Sequence, residues 1–124
     1  MANDFKNAIA QNVSNAAGGT TLYTTPATKT SIMLELDIAN TTSAVVEASV
    51  QMLDKSVNAN YATGGRHIVK NAPVPAGGSL MVIAGQKIVL EAGSGATGDE
   101  ILVTSSSSSA SLDVVAAILE DVNS

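Results

Sequence analysis

Ser31-Ile32-Met33-Leu34-Glu35-Leu36-Asp37-Ile38 decides how this chain is read. Ile32, Leu34, Leu36 and Ile38 alternate with Met33, Glu35 and Asp37. A period of two belongs to a β-strand with one buried and one wetted face, and a helix of 3.6 residues per turn cannot produce it. After Asn40-Thr41-Thr42-Ser43, a turn-forming run, the alternation resumes: Val46, Ala48, Val50 and Met52 against Glu47, Ser49 and Gln51. Two such stretches across a short turn predict an antiparallel hairpin, with Leu34 among its core residues.

The rest of the chain reads the same way. Strands are predicted at Thr20–Thr24, His67–Lys70, Ser79–Ile83, Lys87–Glu91 and Ile101–Thr104. Pro26, Pro73 and Pro75 stop the neighbouring ladders, and Gly85-Gln86 turns the chain between two of them. Asp54–Arg66 and Gly93–Gly98 read as loops, and Ser105–Ser109 as a mobile hairpin loop. In the last segment Leu112, Val114, Ala116 and Ile118 fit a strand, while Leu112, Val115, Ala116 and Leu119 fit a helix capped by Ser111. The Val114-Val115 pair and the β character of its neighbours favour the strand. The fold class is therefore all-β: an antiparallel sandwich or jelly roll of about eight short strands.

Residues 1–19 stand apart as a predicted N-terminal docking arm, ahead of a sandwich domain at 20–124. The segment is polar and Asn-rich and ends in Ala16-Ala17-Gly18-Gly19. Phe5, Ile9 and Val13 recur at i, i+4 and i+8, a short helical stripe, and are the candidate docking residues.

Composition narrows the function. With 124 residues the chain has the size of one domain and is long enough to bury roughly two-thirds of its unfolded surface. Its net charge is −5, and the six basic residues are scattered, so neither nucleic acid nor an anionic membrane is an expected partner. No apolar run approaches the length of a spanning helix, and the start lacks the apolar core of a secretory signal. There is no cysteine, hence no disulfide, thiol nucleophile or thiolate metal site.

Motifs of chemistry are few. Gly93-Ser94-Gly95-Ala96-Thr97-Gly98 has the spacing of a dinucleotide-binding turn, but Asp99-Glu100 and a strand follow where a helix N-terminus would have to receive the phosphates. It is read as a loop, and without a following Lys-Ser/Thr it is not a P-loop. His67 is the one histidine and has no nucleophile elbow to serve. Glu35, Asp37 and Glu47 fall on a wetted face, and Asp99-Glu100 and Glu120-Asp121 offer at most a weak cation site at a subunit junction. No catalytic residue, metal site or cofactor is expected, and the chain is not expected to be an enzyme.

Several stretches carry a family likeness. Leu22-Tyr23-Thr24-Thr25-Pro26-Ala27, Ile38-Ala39-Asn40-Thr41-Thr42, the run from Val69 through Asn71-Ala72-Pro73-Val74-Pro75-Ala76-Gly77-Gly78-Ser79-Leu80, and Val89-Leu90-Glu91-Ala92-Gly93 followed by Gly98-Asp99-Glu100-Ile101-Leu102-Val103 resemble small virion structural proteins of tailed bacteriophages. Many of those come from marine and cyanobacterial phages and carry YTVPA, NApvPaGgsL and LeaGDxIxV in this order. The likeness covers roughly residues 20–120. Here Ser94–Thr97 interrupt the Ala-Gly-Asp of the family pattern, which implies a lengthened loop. The resemblance implies a β-sandwich located in the virion and carries no catalytic residues. The expectation is a capsid decoration or cement subunit, with a neck, collar or tail component as the alternative and a carbohydrate- or receptor-binding module behind them. The expected partners are copies of itself, guessed to form a trimer, and the major capsid protein or other virion proteins.

Overall fold

A computed structural model describes residues 4–16, 19–54, 65–92 and 97–120. Among the described residues there are eight strands: β1 (Asp4–Val13), β2 (Thr20–Pro26), β3 (Ser31–Asn40), β4 (Val46–Leu53), β5 (Gly65–Val74), β6 (Ser79–Leu90), β7 (Thr97–Ser105) and β8 (Leu112–Glu120). They form two four-stranded antiparallel sheets, ordered β1-β8-β3-β6 and β2-β7-β4-β5. This is a jelly roll. Only β4 and β5 are neighbours both in sequence and in a sheet; every other connection crosses from one sheet to the other.

That topology corrects the expected hairpin. β3 belongs to the first sheet and β4 to the second, so the stretches face each other across the core rather than sharing a ladder. Alternation reports which side of a strand is buried and is silent on which strand lies beside it. The buried side is also corrected. A bulge between Met33 and Glu35 shifts the phase of β3, so that Met33, Leu36 and Ile38 are fully buried while Leu34 is only half-buried.

The same bulge explains why one strand replaces two at Ser79–Glu91. Along β6 the pairing jumps from Glu35↔Ala84 to Met33↔Ile88, so Leu34 faces Gly85, Gln86 and Lys87 together. Gly85 (φ 110°) and Lys87 (φ 48°) take left-handed backbone there. The Gln86 side chain closes the bulge, accepting from the Ala84 amide (3.1 Å) and donating to the Val82 carbonyl (3.3 Å). Pro73, expected to end its strand, lies within β5 opposite Glu47; β5 is an edge strand, where a missing donor is tolerated.

Residues 4–13 correct the expected arm. They form β1, paired with β8 from Asp4↔Glu120 to Val13↔Leu112, and so belong to the body. A strand needs no core of its own when it is added to a sheet; small Ala8 and Ala10 complete its inner side together with Val13. No helix forms there, so the i, i+4 stripe has a different meaning. In a strand residues 5 and 9 share a face, and a bulge with Asn12 at φ 58° turns Val13 to the other side.

The final segment is a strand, as favoured. Leu112, Val114, Ala116, Ile118 and Glu120 all point inward, and β8 is bonded on both sides, to β1 and β3. The serine run joins β7 to β8 across the two sheets and is not a hairpin. It is tied by Ser105 Oγ to Ser111 Oγ (2.6 Å), by the Ser107 amide to Ser105 Oγ (3.0 Å) and by the Glu47 amide to Ser106 Oγ (3.0 Å). The core between the sheets is aliphatic, with Leu36, Ile38, Ile83, Leu112 and Ile118 of the first sheet meeting Val50, Val74, Ile101 and Val103 of the second.

Candidate assembly surface

The outer face of the first sheet is built from cross-strand rows. Phe5, Leu119, Ile32 and Val89 stand side by side across β1, β8, β3 and β6. Two residues further along β1 and β8, and beyond the bulge on β3 and β6, the next row is Asn7, Ala117, Glu35 and Ala84. The third is Ile9, Val115, Asp37 and Met81. Five of the six large exposed hydrophobics among the described residues lie in these rows: Phe5, Ile9, Met81, Val89 and Val115. Scattered exposed apolar side chains are ordinary, but their gathering on one sheet face makes that face the candidate assembly surface.

Glu35 and Asp37 interrupt the apolar rows. The neighbouring Asp37 carboxyl, through hydrogen bonding and then through the repulsion between the two charges, holds Glu35 above the usual carboxylate range. Asp37 Oδ1 is buried and has no hydrogen-bond partner among the described residues. The face therefore offers apolar contact around an acidic centre, a combination suited to a partner that brings aliphatic side chains and a basic group.

Of the candidate docking residues, the structure brings Phe5 (78% exposed) and Ile9 (65% exposed) onto this face and removes Val13, which is fully buried. Sequence reasoning missed the partners of Phe5 and Ile9: Val115, Met81 and Val89 come from β8 and β6, distant in the chain. The available signal was Val114-Val115 and Val82-Ile83 beside further apolar residues, since strands apolar on both faces are either doubly buried or meant to be covered.

The other candidates are dispersed. His67 lies exposed on β5 opposite Gln51. Within the glycine-rich stretch, residues 93–96 lie outside the described residues, while Thr97 and Gly98 open a strand rather than a helix. Asp99 is buried and meets Asp54 and Glu91, with carboxylate oxygens within 4.8 Å of one another, instead of acting with Glu100. Its Oδ2 accepts the Glu91 amide (2.9 Å), which gives it a part in joining β6 to β7. Asp121 lies outside the described residues. Glu120 is buried at the end of β8, where Tyr23 donates to it and Lys6 (2.9 Å) and Lys29 (3.8 Å) pair with it.

No family model matches the sequence, and no curated protein sequence matches it. Among solved structures, a chain in the structure of infectious bursal disease virus, Gt strain, is similar over 94% of this chain and 30% of its own, with a TM-score of 0.45 and 14% identity. A chain in the structure of the Gx strain of that virus is similar over 96% of this chain and 36% of its own, with a TM-score of 0.40 and 14% identity. The present chain thus spans about a third of the length of those chains.

Proposed function

We propose that this chain is a structural protein of a virus particle, most directly a head decoration or cement subunit of a tailed bacteriophage, acting by assembly and without catalysis. The observation that carries the reading is the apolar outer face of the first sheet. A face made of Phe5, Ile9, Met81, Val89 and Val115 is costly to leave in water, at about 25 cal/mol per Å² of apolar area, and its covering drives association. Two further features agree with it. The eight-stranded jelly roll is an architecture of viral capsid domains, although lectins and enzymes use it too, so this support is by analogy. The stretches that resemble phage virion proteins fall where they shape that fold: Pro26 ends β2, Pro75–Gly78 turn β5 into β6, and Asp99–Val103 lie in β7.

A carbohydrate-binding role has less to stand on. Sugar platforms favour aromatic rings, and of three aromatics Tyr23 has its hydroxyl committed to Glu120 and Ser31. The test is the stoichiometry of the protein in purified virions, read from a stained gel with peptide mass mapping. A head subunit appears in proportion to the major capsid protein, its expected partner. A neck, collar or tail component appears in the small number of a single ring, and absence from the particle overturns the virion reading.

A further inference from the structure

We infer that β1 is an open sheet edge that pairs with β1 of a second copy, antiparallel and centred on Asn7. The inference stands on the edge itself and holds whether or not the protein resides in a virion. Four strands lie at sheet edges: β1 and β6 in the first sheet, β2 and β5 in the second. Natural edges are protected by bulges, prolines and breaks in register. β6 is broken by the bulge at 85–87. β5 carries Asn71 at φ 53° and Pro73, and β2 has two register shifts and ends on Pro26. β1 alone offers a regular run, Asp4 to Ala10, paired to Glu120 through Val114 without a shift.

The sequence of that run is complementary to itself. Centred on Asn7, an antiparallel copy sets Phe5 against Ile9, Lys6 against Ala8, Asp4 against Ala10 and Asn7 against Asn7. Two Phe–Ile pairs, one on each side of the two-fold, cover the most exposed and third most exposed large hydrophobics of the described residues. The two Asn7 amides meet on the axis, each able to donate and accept. No like charges oppose each other, whereas centring on Lys6 would set Lys6 against Lys6. Because directly paired residues must share a face, centres that mix the two faces are excluded. The product is an isologous dimer with one eight-stranded sheet running through it, so that the apolar rows of both copies form a continuous surface. This is a two-fold assembly in place of the trimer expected from the sequence.

The test uses the full chain, which has no native cysteine. In light scattering over a concentration series, the wild type should rise from 12.5 kDa toward twice that mass. Phe5→Lys/Ile9→Lys, changed only at exposed positions, should keep its thermal melting and stay at one chain mass. Under mild oxidation Asn7→Cys should give a disulfide-linked dimer, because residues paired across an antiparallel ladder lie about 4.5–5.5 Å apart, within disulfide reach. Gln11→Cys should not, since this register separates its two copies by about 27 Å at 3.4 Å per residue. The inference is overturned by a three-chain mass, by crosslinking of Gln11→Cys as fast as Asn7→Cys, or by a dimer that survives the edge lysines but is lost in Met81→Lys/Val115→Lys.

Discussion

The Tyr23 hydroxyl donates a hydrogen bond to the Glu120 carboxylate, tying β2 of the second sheet to β8 of the first across 97 residues of chain. Ser31 of β3 shares the same hydroxyl at 2.8 Å. Burial pushes the Glu120 carboxyl up, but the hydrogen bonds from Tyr23 and Lys6 and the charges of Lys6 and Lys29 outweigh it and hold it below its ordinary value of 4.5. Burial, and then Glu120, raise the Tyr23 phenol. Tyr23→Phe removes a bond to an ionised acceptor and should cost about 1.5–3 kcal/mol in urea unfolding at neutral pH.

The same carboxylate sets an acid limit. A carboxyl whose folded value is depressed contributes stability that is present above its unfolded value, near 4.5, and is lost as pH falls through the lower folded value. Wild-type stability should therefore drop below about pH 4.5 more steeply than that of Glu120→Gln, which has no such proton to take up. Equal slopes for the two proteins would mean that Glu120 is not the linked group.

Leu36 and Leu34 should separate sharply in mutagenesis. Leu36 is fully buried, so Leu36→Ala should cost about 3 kcal/mol through lost burial and the cavity left behind. Leu34, half-buried at the bulge, should cost less than half as much. Leu36→Asp should leave the chain unfolded at neutral pH, because an unpaired carboxylate has no partner in an aliphatic core. Circular dichroism melts of the three variants provide the comparison.

This contrast also shows what the sequence made legible. The alternation at Ile32–Ile38 and Leu112–Ile118 identified strands, and β8 emerged with its inward set as read. The phase of β3 was hidden because the bulge depends on Gly85, Gln86 and Lys87 in a different strand. β1 was hidden because Ala8 and Ala10 are small, and a pattern search weighs large side chains. Two of the five exposed hydrophobics of the candidate surface, Phe5 and Ile9, were visible as residues at a regular spacing. Its completion by Val115, Met81 and Val89 is a property of the jelly-roll strand order, which no local pattern encodes.

Asn40 holds the crossing from β3 to β4. It is buried, donates to the carbonyls of Ala44 (2.7 Å) and Val74 (2.9 Å), and accepts from the amide (2.9 Å) and hydroxyl (2.8 Å) of Thr42. Asn40→Ala takes a donor from the Val74 carbonyl and an acceptor from the Thr42 amide, while the Ala44 carbonyl keeps the Thr42 hydroxyl (3.0 Å), and should cost about 2 kcal/mol, taking roughly 1 kcal/mol for each group left short. Asn40→Asp should be at least as damaging, since a carboxylate cannot donate to either carbonyl. Denaturant midpoints of the two variants test the ordering.

The acidic pair on the outer face carries the opposite sign. Glu35 is raised by its hydrogen bond and repulsion with Asp37, so the folded chain holds its proton more tightly than the unfolded one. That pair gains stability as pH falls and loses it as pH rises through the raised value. Glu35→Gln should therefore raise the melting temperature at neutral pH and leave it little changed at acid pH, where the pair already carries a proton. A variant that melts lower at neutral pH would show that the ionised pair is held by favourable contacts.

Deleting residues 2–13 tests the largest correction to the sequence reading. A docking arm can be removed without harm to the domain, whereas a sheet strand cannot. The deletion takes Ala8, Ala10 and Val13 from the core and all of the ladder from Asp4↔Glu120 to Val13↔Leu112. β8, now bonded on both sides, becomes an edge strand, and buried Glu120 loses Lys6. Val13 alone is worth about 1.5–3 kcal/mol as a fully buried side chain, and the ladder and two alanines add to it against a total stability of about 5–15 kcal/mol. The truncated chain should be unfolded or aggregated at ambient temperature. Phe5→Ser/Ile9→Ser supplies the counterpart: it keeps the strand and removes only the exposed apolar groups, so it should fold as the wild type does and lose association. A truncated chain that melts like the wild type would return residues 2–13 to the role of a separable arm.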